Sequence, residues 1–166
     1  MSKTRVGAAG LALVLAALIA GLDLYLKGLV EHTLPLNGSL PIFPPVLELR
    51  YTRNTGAAFG LLSHAPAWVV LSISLVVLAI FLVLIWPHLT SRLGMTAVAL
   101  VVGGALGNIL DRVLYAAVRD YIHFNFWAIF NLADACVVIG VALLMLTLLR
   151  DMRVTPSEGA GVISNS

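Results

Sequence analysis

Trp68-Val-Val-Leu-Ser-Ile-Ser-Leu-Val-Val-Leu-Ala-Ile-Phe-Leu-Val-Leu-Ile-Trp86 carries no charge and has a tryptophan at each end. A helix needs about 20 apolar residues to cross the hydrocarbon core of a bilayer. Indole rings settle at the two membrane–water interfaces. The stretch therefore predicts a membrane span over 68–86. Three more apolar runs flank it, over about 6–26, 93–114 and 132–149. The first follows Lys3 and Arg5, as a cleavable leader would. It is long for one, has no clear A-x-A site behind it, and leads into Asp23 and Lys27, so it reads as a retained span. The third contains Gly94, Gly103, Gly104 and Gly107, small residues that let helices approach closely in lipid.

Composition agrees with this reading. Sixty per cent of the residues are hydrophobic and 11% charged, against about 25% charged in a soluble domain. A soluble globule this small has too little interior to hide so much apolar surface, so the excess faces lipid. The net charge is only +2, without a basic run to follow a phosphate backbone, which leaves nucleic-acid binding unsupported. The single cysteine, Cys136, lies in an apolar run and reads as a packing residue. It cannot supply an internal disulfide or a multi-cysteine metal site.

Between the first two spans, Gly28 to Pro66 has no helical pattern, and Pro35, Pro41, Pro44 and Pro45 break helices. Leu47-Glu-Leu-Arg-Tyr-Thr-Arg53 alternates apolar and polar residues, as a half-buried strand does. Asn54-Thr-Gly56 follows as a turn signal, then the small apolar run Ala57-Ala-Phe-Gly60. The expected fold is an all-α membrane bundle of four transmembrane helices with a small β-sheet over about 28–66, between helices 1 and 2. The whole chain, 1–166, reads as a single membrane domain. Residues 154–166 are small and polar and read as a disordered tail.

An even number of spans puts both termini on one side. Lys3, Arg5, Arg92, Arg150 and Arg153 lie there, and Lys27, Arg50, Arg53, Arg112 and Arg119 lie opposite, so lysine and arginine alone do not set the orientation. Asp23, Glu31, Glu48, Asp111, Asp120 and Asp134 all fall on the second side. The terminal side keeps unpaired positive charge and is expected to be cytoplasmic.

Ionised groups inside a bilayer cost roughly 2.5–3.5 kcal/mol on insertion scales, so they persist where they pair or act. Asp23 and Lys27 share a helix face and can form an ion pair closing span one. Asn108, Asp111 and Arg112 form a polar face at the end of span three, open either to a local salt bridge or to positioning a substrate or a neighbouring helix. Asn131 and Asp134 open span four with the spacing of a capping box, which by itself would explain them. Asp120, in Val118-Arg-Asp-Tyr-Ile122, reaches the same interface as Asp134. Two carboxylates at one point can share a proton, one activating water and the other protonating a carbonyl oxygen. An aspartyl hydrolase follows, if the loops do not carry the pair apart. The four histidines lack H-E-x-x-H spacing, and G-x-S-x-G is absent. The competing class is a small proton-coupled transporter or channel subunit with the aspartates as a relay.

Asn54-Thr-Gly-Ala-Ala-Phe-Gly60, Gly103-Gly-Ala-Leu-Gly-Asn-Ile-Leu-Asp-Arg112, Val118-Arg-Asp-Tyr-Ile122 and Phe130-Asn-Leu-Ala-Asp134 resemble, in order and spacing, the motifs of the bacterial lipoprotein signal peptidases, or type II signal peptidases. The Asp23/Lys27 pair resembles the first-helix motif. The resemblance runs from about Val6 to Arg150. It implies a metal-free and cofactor-free inner-membrane aspartyl endopeptidase, cutting diacylglyceryl prolipoproteins before the lipidated cysteine near the periplasmic face. It implies Asp120 and Asp134 as the catalytic pair. Asn54, Gly56, Asn108, Arg112 and Asn131 would line the site, with Asp23, Lys27 and Asp111 structural. It also implies a periplasmic β-cradle, contact with membrane lipid, and inhibition by globomycin-type cyclic peptides. One departure is the stretch from Tyr121 to Ala133, shorter than the family pattern. With so short a loop, the cradle, through the Asn37–Ser39 turn and Phe59, is expected to cover the site more than Phe124 or Phe126 does.

Overall fold

The computed structural model describes residues 3–56, 65–86 and 91–154. Phe59, His64 and the rest of the apolar run after Gly56, together with the tail from 155 onward, lie outside the described residues. The elements run α1 (Lys3–Thr33), β1 (Ser39–Phe43), β2 (Leu47–Asn54), α2 (Ala67–Ile85), α3 (Arg92–Tyr115), β3 (Val118–Phe124) and α4 (Leu132–Val154). Among the described residues, four helices are long and apolar enough to span a membrane. Their outward faces are apolar: Leu18, Val83 and Val138 are all well exposed. That pattern suits a lipid solvent.

The central helix is α3. Half of its most apolar stretch lies inside the protein, against 17–28% for the other spans. Its glycines explain why. A Cβ at Gly103 would come within 2.7 Å of Ile19 in α1, one at Gly104 would meet the Ala133 carbonyl in α4, and one at Gly107 would meet Asp23. On the other side, a Cβ at Gly140 of α4 would press on Val101 and Ala97. Backbones therefore touch where side chains are absent, and Ala12, Ala16, Ala97, Val98, Val101 and Leu144 fill what remains, with Phe81 and Ile85 reaching in from α2.

The first helix is longer than its apolar run. Residues 28–33, expected in the sheet segment, belong to α1. No proline intervenes before Pro35, and Val30 is buried against Tyr51 and Tyr121 with Leu26 and Leu34 packed around them. The sheet segment therefore begins only after Thr33.

The sheet is antiparallel in the order β1-β2-β3. Two strands come from the segment between helices 1 and 2, as expected. The third, Val118–Phe124, arrives after α3 and pairs Thr52 with Asp120, Arg53 with Arg119 and Asn54 with Val118. Val118, Arg119, Asp120 and Tyr121 are all buried, which erases the in–out alternation that marks a strand in sequence. Ala116, in the left-handed region at φ 56°, ends α3 and donates its amide to the Arg112 carbonyl. This tight reversal lays β3 back over the last turn of α3.

Candidate active site

Helix α4 starts beneath β3, and three carboxylate or amide groups fasten its first turn. Asn131 Oδ1 accepts from the Asp134 amide (3.0 Å), and Asp134 Oδ2 accepts from the Asn131 amide (3.2 Å). This is the reciprocal capping box that the spacing predicts. Asp23 of α1 adds a third bond, its Oδ1 accepting from the Ala133 amide at 2.9 Å. Asp23 thus both pairs with Lys27 and caps a different helix.

Capping leaves Asp134 Oδ1 free for another donor, and Asn108 of α3 supplies one at 2.8 Å. Asn131 sends its own Nδ2 to Asp120 Oδ1 (2.7 Å) and to Asn108 Oδ1 (3.1 Å). Asn54, at the end of β2, donates to Asp120 Oδ2 at 3.0 Å. Its Oδ1 accepts from the Gly56 amide at 3.0 Å. Asp120 and Asp134 are therefore held by two asparagines that are bonded to each other. The loops bring the carboxylates together. Arg112 donates to the Gly56 carbonyl at 3.1 Å, and it lies close enough to Asp120 and Asp134 to feel both charges.

The two carboxylates differ in exposure. Asp120 is 2% exposed, whereas Asp134 is half-buried. Burial first, and the neighbouring Asp134 charge second, push the Asp120 carboxyl up from 3.8 to about 7. Donors from Asn54 and Asn131 and the Lys27 charge oppose the rise without cancelling it. A carboxyl poised there can exchange its proton near neutral pH.

Behind the pair runs a continuous chain of charge, buried from Asp23 through Arg119 and opening toward the surface at Glu31 and Arg53. Lys27, wholly buried, bonds Asp23 Oδ2 (2.7 Å), Asp111 Oδ2 (3.4 Å) and Asn108 Oδ1 (2.9 Å). Asp111 does not pair with its helical neighbour Arg112. It receives Arg119 instead, at 2.7 Å from Nη2 and 2.9 Å from the Arg119 amide. Arg119 then reaches Glu31 at 2.8 Å, and Glu31 also takes Tyr51 and Arg53. Arg119 and Glu31 are not apparent as site residues from sequence. One signal was available: Asp23, Lys27 and Glu31 follow one another at intervals of four along a single helix face. Burial among two carboxylates is what a buried guanidinium requires. Among the described residues, no group of three or more His, Cys, Asp or Glu side chains could hold a metal ion.

Fold and site together define a multi-pass membrane protein in which the polar ends of three helices and a sheet edge enclose two carboxylates. The comparisons with known proteins narrow that class. The profile of the signal peptidase (SPase) II family matches residues 15–150. The lipoprotein signal peptidase of Halothermothrix orenii is 40% identical over 143 residues, covering 85% of this chain and 97% of that protein. The one from Syntrophotalea carbinolica is 38% identical over 148 residues, covering 84% and 91%. A solved structure described as a bacterial membrane enzyme superposes with a TM-score of 0.73 at 28% identity, covering 92% of this chain and 95% of that one. The chain belongs to the signal peptidase II family. It is accordingly a membrane peptidase that removes signal peptides from lipoproteins, and the transporter reading is not favoured.

Proposed function

We propose that the chain is an aspartic endopeptidase in which Asp120 and Asp134 share the chemistry, cutting prolipoproteins immediately before a diacylglyceryl-modified cysteine. The observation that carries this reading is the pair itself: two carboxylates, on β3 and α4, bonded to two asparagines that bond each other. In the resting pair the raised Asp120 carboxyl keeps the shared proton. Asp134 takes a proton from a water molecule as its oxygen attacks the scissile carbonyl carbon. Asp120 gives its proton to the carbonyl oxygen, producing a gem-diol. The C–N bond then breaks as the diol proton returns to Asp120 and the amine takes the proton held by Asp134. The products are a signal-peptide carboxylic acid, which releases its proton to water, and a free amine on the lipidated cysteine.

Asn54, Gly56, Asn108, Arg112 and Asn131 line this site and hold the substrate backbone. Asp23, Lys27 and Asp111 support it from behind. The reaction needs no metal. Unpaired positive charge at the termini favours a cytoplasmic location for them, which puts the pair near the outer face of the inner membrane. There the substrate's acyl chains can remain in the bilayer while its backbone enters the site, and globomycin-type cyclic peptides would compete for the same place. The chain acts as one membrane domain, its sheet serving as a cradle beside the site.

Cleavage of a purified diacylglyceryl prolipoprotein tests the reading, using wild type, Asp120→Asn and Asp134→Asn with EDTA present. Wild type should cleave and both variants, still folded, should not. Cleavage by either variant refutes the pair, and loss of wild-type cleavage on chelation refutes the metal-free chemistry.

A further inference from the structure

Lys27 makes one bond more than charge balance asks of it. Asp23 and Asp111 already place two carboxylates around a single ammonium. The third N–H goes to a neutral acceptor, Asn108 Oδ1, at 2.9 Å. An asparagine amide can turn over and exchange its oxygen for its nitrogen. Asn108 cannot do so cheaply, because Oδ1 receives both Lys27 Nζ and Asn131 Nδ2. Turned over, it would set N–H groups against those two donors. Its Nδ2 is therefore kept on Asp134 Oδ1 at 2.8 Å.

We propose that Lys27 is a positioning residue for the Asp120–Asp134 pair, fixing the Asn108 donor on Asp134 and setting a buried cation behind both carboxylates. This rests on the aspartic reading given above. The surrounding charges single Lys27 out. Facing it are Asp23 on its own helix and Asp111 on α3. Facing the pair are Arg112 from α3 and Tyr121 from β3, with Asp23 reaching the α4 terminus. Arg119 is committed to Asp111 and Glu31, and Arg112 to the backbone carbonyls of Gly56 and Asn108. Arg112 thus reaches Asn108 only at its backbone carbonyl, 3.4 Å away, whereas Lys27 bonds the side-chain amide that itself bonds Asp134. The Lys27 charge also favours ionised Asp120, opposing burial.

Removing Lys27 alone would strand buried carboxylates. The test therefore uses the full-length protein in an Asp23→Asn background, where the new amide carbonyl can still accept from the Ala133 amide. Asp23→Asn/Lys27→Met is compared with Asp23→Asn for kcat, KM, the pH dependence of kcat and melting temperature. The expected result is a kcat lower by about tenfold or more, with KM changed less than about threefold. The alkaline limb should move up by about half a pH unit or more. Asp23→Asn/Lys27→Gln, which restores a neutral donor, should recover part of kcat and leave the limb displaced. A kcat and limb equal to those of Asp23→Asn would overturn the proposal, leaving Lys27 as a counter-ion. Failure of both double variants to fold would overturn it too, since the cation would then be needed for the fold itself. If Asp120→Asn or Asp134→Asn cleaves, the aspartic reading fails. If both are inactive while the Lys27 variants match Asp23→Asn, only the present proposal fails.

Discussion

Asp120→Asn should abolish cleavage and yet make the protein melt higher than wild type at alkaline pH. The Asp120 carboxyl ordinarily loses its proton near 3.8, and in the fold it does so near 7. Folding must therefore take up a proton between these values. The sign follows: the raised value contributes stability that is fully present below about 3.8 and is lost as pH rises through about 7. Each pH unit in that window removes about 1.4 kcal/mol. From pH 5 to pH 8, where the effect levels off, wild type loses about 3 kcal/mol that a non-titrating asparagine keeps. Against this stands one hydrogen bond. Asp120 accepts from Asn131 at 2.7 Å and from Asn54 at 3.0 Å on separate oxygens. A single amide carbonyl replaces both acceptors, so the variant loses about 1 kcal/mol at every pH. Wild type has already lost about 1.7 kcal/mol between pH 3.8 and 5, so the variant should be ahead by less than about 1 kcal/mol at pH 5 and by about 3 kcal/mol at pH 8. With about 2–4 °C of melting temperature per kcal/mol in a chain this long, the difference between them should change by roughly 5–10 °C over that range. Tryptophan fluorescence melts in detergent at pH 5, 6, 7 and 8 would measure it, and groups remote from Asp120 cancel in the comparison. A melting difference that stays constant with pH, or shrinks as pH rises, would refute the claim that burial beside Asp134 holds a proton on Asp120.

Three further outcomes follow from the same geometry. Gly104→Ala, whose new Cβ meets the Ala133 carbonyl and lies 3.0 Å from Val137, should destabilise by about 1–3 kcal/mol; Gly28→Ala, with nothing within 4 Å, should not, and paired melts decide. Asp111→Ala withdraws a carboxylate from Arg119 and Lys27 together and should cost about 3–5 kcal/mol, read as loss of folded protein on size exclusion. Asn54→Ala removes a donor to Asp120. It should lower kcat by about five- to tenfold and raise the alkaline limb of the pH–rate profile, since that donor favours the ionised carboxyl.

The bundle was legible because lipid imposes a simple code. Each span must be apolar for its full length, and the uncharged run from Trp68 to Trp86 states this openly. The sheet was half legible. Alternation in Leu47–Arg53 marks β2, whereas β3 escapes because Arg119 and Asp120 are as buried as Val118 and Tyr121. Its polar residues are inside for electrostatic reasons that no hydropathy pattern carries. The extension of α1 to Thr33 escapes for a related reason: Lys27 and Glu31 look like the end of a span, yet one is sealed between Asp23 and Asp111 and the other is shared by Arg53 and Arg119. Spacing along α1 and α3 could suggest which charges share a face. It could not choose Arg119 over Arg112 as the partner of Asp111, because that choice depends on the left-handed turn at Ala116.

Asn131 and Asp134 looked sufficient as a helix cap, and they are one. The cap does not compete with a catalytic role; it supplies the rigidity such a role needs. Asp134 Oδ2 is tied to the Asn131 amide, Asn131 Oδ1 to the Asp134 amide, and the next amide along, at Ala133, to Asp23. Those bonds fix the backbone from which Asp134 Oδ1 projects and leave that oxygen to Asn108. Asp134→Asn keeps a carbonyl oxygen that can accept from the Asn131 amide, so the cap can persist without the charge. Capping alone therefore predicts a variant that folds and cleaves, whereas a shared-proton pair predicts one that folds and does not. The same substitution weighs the two roles on a single side chain, and only the cleavage readout separates them.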